Sequence, residues 1–226
     1  MKRILTLLII TLAVICVQSC KKNDPVSINT GKIYLLKTIR QDGKISTVLE
    51  YDNKNRLIEL TYSSGYDFKY TYDSNDRLVQ SKEYFGENDP ILHLTENFTY
   101  SSNKITVTTI SNTSGSVSKV FYDQSNGRIT KLYFEVNPTS FEYEYDNKGN
   151  IVKVVPKNAG PNNSNEILVY KYDDNKSPFS MIKGLNLNFY LTFSGGHPGY
   201  GVVNNILTLE NYYENNYKYN ADGFPT

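Results

Sequence analysis

The chain has 226 residues, 24 basic against 23 acidic side chains, a formal net charge of +1, and 20 Tyr and 10 Phe without a single Trp. So balanced a charge offers no field to hold a phosphate backbone, which excludes nucleic acid as a partner class. Ala is almost missing while Tyr and Asn abound, a composition that disfavours long helices and favours strands joined by turns.

Met1-Lys2-Arg3 is a charged start, and residues 4–17, ILTLLIITLAVICV, form an unbroken apolar run before VQSC. The run is shorter than the ~20 residues of a membrane span and has the size of a secretory signal. A cysteine placed directly after it and a small residue resembles the lipobox of bacterial lipoproteins. The resemblance implies cleavage before Cys20 and acylation of Cys20, although Gln18 stands where a more apolar or small residue is commoner. Residues 1–19 are therefore expected to be a signal peptide, 20–30 a lipidated linker, and 31–226 a single domain. Cys16 leaves with the signal, so no internal disulfide can form and the fold must stand on its core alone. Acyl chains on Cys20 supply the membrane affinity. The expected location is the cell envelope, as an outer-membrane lipoprotein, with the periplasmic or surface side left open.

Beyond the linker one phrase recurs: YDNKNRL from Tyr51, YDSNDRL from Tyr72, YSSNKI from Tyr100, YDQSNGRI from Tyr122, YDNKGNI from Tyr145, YDDNKSPF from Tyr172 and YNADGFP from Tyr219. A weaker copy, RQDGKI from Arg40, precedes them. The period of ~20–30 residues marks a repeat architecture. Asp after Tyr can accept backbone N–H groups two residues on, and Asn or Gly further along tolerates the left-handed conformation of a tight turn. The next Arg or Lys can pair with the Asp or lie over an aromatic ring, and Leu or Ile then returns to a buried face. The phrase reads as a hairpin tip. FKYTY (68–72) and FEYEY (141–145) alternate ring and polar residues with the period of a strand. Plain turns, such as SSG at 63–65 and NTSG at 112–115, separate successive tips.

The pattern predicts an all-β fold: an antiparallel up-and-down meander of about 14 strands, curled into a barrel or half-barrel with an aromatic interior. A sheet so wide is expected to twist, curl or close. Residues 178–201 break the pattern. A short helix or an extended plug is expected at 178–187 and a Gly-rich hairpin loop at SGGHPGYG. The last tip, YNADGFPT, has no strand after it, and the wide gap from Tyr172 to Tyr219 suggests a copy that lost its signature.

These phrases resemble the YD repeats of Rhs-type proteins, whose repeats form curved β-shells around a cavity; the resemblance covers residues 40–179. The whole chain more closely resembles a family of small uncharacterised Bacteroidota lipoproteins. The shared marks are a lipobox, the YDxxxxPF of Tyr172–Phe179, the strand of Asn204-Asn205-Ile206, and Tyr219–Pro225 at the end. That resemblance implies a porin-like β-barrel fold and no established activity. The shell function of the Rhs proteins is not implied, since the chain carries no cargo domain. Nor does a porin-like fold imply a membrane barrel, because Lys69, Glu142, Glu144, Lys171 and Lys218 on the non-aromatic face would each cost ~2–4 kcal/mol near the bilayer midplane.

Catalytic patterns are missing from the sequence. No HExxH, CxxC or nucleophile-elbow spacing occurs, and no cofactor or metal is expected. His93 reads as a strand residue on the polar face. His197 lies where glycines permit close approach of a ligand, and Tyr200, Tyr212 and Tyr213 fall outside the strict alternation; these four are the candidate ligand-binding residues. The function expected is a non-catalytic binding or scaffolding module, anchored to the membrane through Cys20, with a glycan or a peptide as candidate ligand. The alternative is an envelope or glycan hydrolase using carboxylates on the hairpin tips.

Overall fold

The structure is a computed structural model that describes residues 33–86, 88–158, 166–183, 203–210 and 212–225. Residues Tyr34–Thr226 form one compact unit. The strands are β1 (Thr38–Gln41), β2 (Lys44–Tyr51), β3 (Leu57–Tyr62), β4 (Tyr66–Tyr72), β5 (Leu78–Phe85), β6 (Ile91–Tyr100), β7 (Lys104–Ser111), β8 (Val117–Ser125), β9 (Arg128–Phe134), β10 (Ser140–Tyr145), β11 (Ile151–Lys157), β12 (Leu168–Lys176), β13 (Asn204–Leu209) and β14 (Tyr213–Glu214). They pair in chain order, each antiparallel to the next, with β1 and β14 at the two ends. Among the described residues β1 and β14 are not paired with each other.

Tight turns dictate this topology, because a hairpin can only join antiparallel neighbours. Each full tip is built the same way. Asp52 Oδ1 accepts the N–H groups of Lys54 (2.9 Å) and Arg56 (3.0 Å), and Asp73 and Asp146 do likewise for the backbone that follows them. The fourth residue after the leading Tyr lies in the left-handed region in four tips: Asn55 (φ 65°), Asp76 (61°), Gly149 (100°) and Gly223 (79°). Tyr then faces Leu or Ile across the tip: Tyr51 pairs Leu57, Tyr72 pairs Leu78, Tyr100 pairs Ile105 and Tyr145 pairs Ile151. The copy from Tyr122 departs from the expected Asx turn. There the strand continues through Asp123 to Ser125, and Asn126 and Gly127, both at positive φ, make the two-residue turn to Arg128.

Because side chains alternate along each strand, one face collects the core. Leu57, Leu78, Ile105, Val107, Tyr122, Ile151 and Val154 are almost fully buried, and Tyr70, Phe98, Tyr143 and Tyr170 join them. The expected aromatic interior is thus half aliphatic. The Leu and Ile that close the tips are among the deepest positions, with Val107, Tyr122 and Val154, while Phe68, Tyr72, Phe141 and Tyr145 are half-buried around them.

The wide gap between Tyr172 and Tyr219 is an interrupted tip. Asp173 Oδ1 accepts the N–H of Asn205 (3.0 Å) and its Oδ2 accepts Asn205 Nδ2 (3.0 Å), as Asp146 does with Asn150, and Tyr172 pairs Ile206. Asn205-Ile206 is the closing half of the Tyr172 phrase, displaced down the chain by an inserted segment. The described start of that segment is a turn at 178–181 followed by a single bridge, without a helix. It carries buried Phe179 and Ile182 to the first tip, where the Lys183 N–H donates to the Asn55 carbonyl (3.0 Å). The final tip also finds a place. Asn220 Oδ1 accepts two backbone N–H groups, and Phe224 is buried against the Tyr34 ring (5.2 Å) with Lys176 Nζ over its own ring (5.5 Å).

Candidate functional site

The tips form a ladder that fixes the geometry of everything between them. In four units the leading Tyr donates its hydroxyl to the carbonyl of the Leu or Ile that closes the preceding tip. Tyr72 reaches Leu57, Tyr100 reaches Leu78, Tyr145 reaches Ile129 and Tyr172 reaches Ile151, each at 2.7 Å. Tyr51 reaches Leu36 in the same way (2.5 Å). Burial pushes the Tyr51, Tyr72 and Tyr145 hydroxyls well above their ordinary range, so they stay donors at physiological pH. Arg56 pairs with Asp52 in its own tip (2.6 Å) and lies over the Tyr72 ring of the next (4.8 Å). Arg77 repeats this with Asp73 and Tyr100, and Arg128 lies over Tyr145.

Among the concavities lined by described residues, two stand beside this framework. The larger has a volume of about 500 Å³, inside the ~300–1,000 Å³ range of ligand pockets. Leu36, just before β1, and Ile39 and Arg40 of β1 line it together with Phe179, Ile206 and Tyr217 from the end of the chain. It therefore occupies the seam between the beginning and the end of the meander. The smaller, of about 320 Å³, lies at the opposite, plain-turn end and is lined by Tyr62, Ser64, Tyr66, Phe68 and Glu83.

Beside the smaller cleft sit two carboxylates on the core face. Glu83 shares the core face with its register partner Phe68, and Glu96 shares it with Ser81. Glu83 Oε1 meets His93 Nδ1 at 2.7 Å. Burial, followed by the charge of Glu83, pushes the Glu96 carboxyl up to about 7, against a weak hydrogen bond from Thr109. His93, expected on the polar face, is the extra residue of a bulge between the Leu92–Tyr84 and Leu94–Glu83 pairs, and this lets its ring reach Glu83.

The tip carboxylates behave oppositely. Burial raises the Asp146 pKa, yet hydrogen bonds from Asn150 and the backbone outweigh it and hold the carboxyl below its usual range; Asp52 is held low in the same way. Their lone pairs are spent on closing the turns.

Of the residues singled out from the sequence, Cys20, His197 and Tyr200 lie outside the described residues. Tyr212 is exposed on the turn between β13 and β14 and donates to Glu166 (2.8 Å), and Tyr213 pairs Leu209. Tyr212 lines neither concavity. Sequence reasoning passed over Glu96, although in LHLTENFTY it shares parity with Leu94, Phe98 and Tyr100. An acid in an apolar phase was the available signal. The seam residues carried no such mark, because only the fold brings Ile39 to Ile206. Comparison of the chain with protein families finds no match, and comparison with curated proteins finds none either.

Proposed function

We propose that this protein is a non-catalytic binding module, held at the cell envelope by acyl chains on Cys20, that takes an extended peptide into the seam of a half-barrel. The observation that carries this reading is the seam concavity. It runs along β1, whose outer edge has no strand partner among the described residues. A free edge offers backbone donors and acceptors for strand addition, and an adjoining apolar pocket offers side-chain specificity. The lining of Leu36, Ile39, Phe179 and Ile206 suits an apolar peptide side chain better than a sugar ring. The curl that makes the seam is supported by the contacts of Tyr34 with Phe224 and Asp222 and of Lys183 with Asn55. The hydrolytic alternative draws less support, since the tip carboxylates are committed to turn closure.

The test is a peptide and glycan binding screen on the soluble Cys20→Ala mature domain. Extended apolar peptides are expected to bind and to slow amide exchange in β1, and Ile39→Lys is expected to abolish both. Binding confined to glycans, or peptide binding that leaves β1 exchange unchanged, contradicts the reading. Palmitate labelling of the wild type, lost in Cys20→Ala, tests the anchor separately.

A further inference from the structure

The plain-turn cleft has a chemistry of its own, independent of the seam. Three of its walls are rings. Tyr62 and Phe68 stand edge to face, 6.0 Å apart at 80°, and the Tyr66 ring runs nearly parallel to that of Phe68 at 6.5 Å and 20°. Tyr66 is in turn steadied by Phe85, its register partner, at 4.6 Å. The fourth wall is Glu83, directly across the ladder from Phe68. His93 holds Oε1 of that carboxylate, and among the described residues no hydrogen bond is made to Oε2.

From this arrangement we infer that Tyr62, Tyr66, Phe68 and Glu83 form a site for a quaternary ammonium group. An aromatic corner presents negative ring faces to a diffuse cation, and methyl groups on the nitrogen fill the corner without demanding hydrogen bonds. The carboxylate supplies the balancing charge, and its contact with His93 fixes its position. The cleft's volume of about 320 Å³ accommodates a trimethylammonium head and a short tail. A sugar would also stack on Tyr66, yet it would find one carboxylate and few other polar partners along the lining. Cation recognition uses every wall. The hairpin geometry explains why these four residues meet. SSG at 63–65 is a tight turn, with Gly65 at φ 87°, so Tyr62 and Tyr66 stand at its two shoulders, and the plain register of β4 with β5 sets Glu83 beside Phe68.

The experiment is calorimetric titration of the Cys20→Ala mature domain with choline and, in parallel, with 3,3-dimethyl-1-butanol, the neutral carbon isostere of choline. The charge term at a half-open aromatic site predicts that choline binds about tenfold more tightly than the isostere. Glu83→Gln and Tyr66→Leu should each weaken choline about tenfold and leave the isostere nearly unchanged in the first case only. Val136→Ser, on an exposed turn away from the cleft, should leave binding as in the wild type. Both Glu83→Gln and Tyr66→Leu keep their backbone pairing, and circular dichroism confirms that each variant is folded before titration. Ile39→Lys, which disables the seam, should also leave choline binding intact, so failure of the peptide reading and failure of this one are told apart. Equal affinity for choline and its isostere overturns the inference. So does undiminished choline binding in Glu83→Gln, or the absence of any choline heat in the folded wild type.

Discussion

At the scale of the residue, the same side-chain type does opposite things according to its phase on the strand. Asp146 at a tip collects three backbone N–H groups and the Asn150 amide, and removing it as Asp146→Ala should cost about 1–3 kcal/mol in urea unfolding, the range for leaving such donors unsatisfied. Its carboxyl and that of Asp52 are held below the usual range, so the stability they contribute is present above the unfolded pKa and lost as pH falls through the folded one. Asp146→Asn is expected to flatten the decline in stability below about pH 4. Glu96 carries the opposite sign. Its pKa rises from 4.5 to about 7 in the fold, so its contribution is complete below 4.5 and is lost as pH rises through about 7. Glu96→Gln should therefore stabilise the protein at pH 8 and remove the slope between those two values, which thermal unfolding against pH will show. The ladder tyrosines are simpler. Tyr72→Phe removes one hydroxyl from the Leu57 carbonyl and should cost about 0.5–1.5 kcal/mol. Tyr145→Phe, three units away, should add to it independently when unfolding of the double variant is measured.

At the scale of the element, much was legible. Alternation in FKYTY and FEYEY marks strands because one face must be dry, and Tyr70 and Tyr143 are the buried members of those runs. Asp followed by Asn or Gly marks tips because few other residues close a tight turn, and Asn55, Asp76 and Gly149 take the left-handed conformation there. Two features were not legible, each for a physical reason. The tip from Tyr122 looked like the others, yet Asn126-Gly127 supports a two-residue turn that lets pairing run further. The tip from Tyr172 was hidden because hydrogen-bonding partners Asp173 and Asn205 are far apart in the chain, while sequence reading follows local spacing. Asp173→Ala is accordingly expected to loosen β13 and β14 selectively. Hydrogen exchange should rise there and stay unchanged in β3 through β8; a uniform rise would mean that the interrupted tip is not an independent closure. The seam lay beyond sequence reading because only the fold brings Ile39 to Ile206, and of the plain-turn cleft the rings flanking SSG are local while Glu83 joins them only through the β4–β5 register.

At the scale of the whole molecule, every strand pairs only with its neighbours in sequence. Such a chain behaves as a one-dimensional array, with stability summed from units and the interfaces between them, and its ends are its weakest parts. Here the ends are also where the chain adds its special devices: the inserted Phe179 and Ile182, the Tyr34–Phe224 contact and the Asn150–Asn204 amide pair between adjacent tips. The two rims differ as well. One is built from closed, charge-paired tips, and the other exposes Tyr66, Phe85, Ile91, Val117, Val136 and Ile167 beside the plain turns. A repeat that only stacked would need neither a capped seam nor an acid-lined aromatic cleft. The most direct test is amide hydrogen exchange on the ligand-free mature domain. An open seam predicts fast exchange in Thr38–Gln41 beside slow exchange in β5 through β8, with β1 slowed when an apolar peptide is added. Exchange in β1 as slow as in the central strands before any peptide is present would mean that the β1 edge is already covered, and would contradict the account.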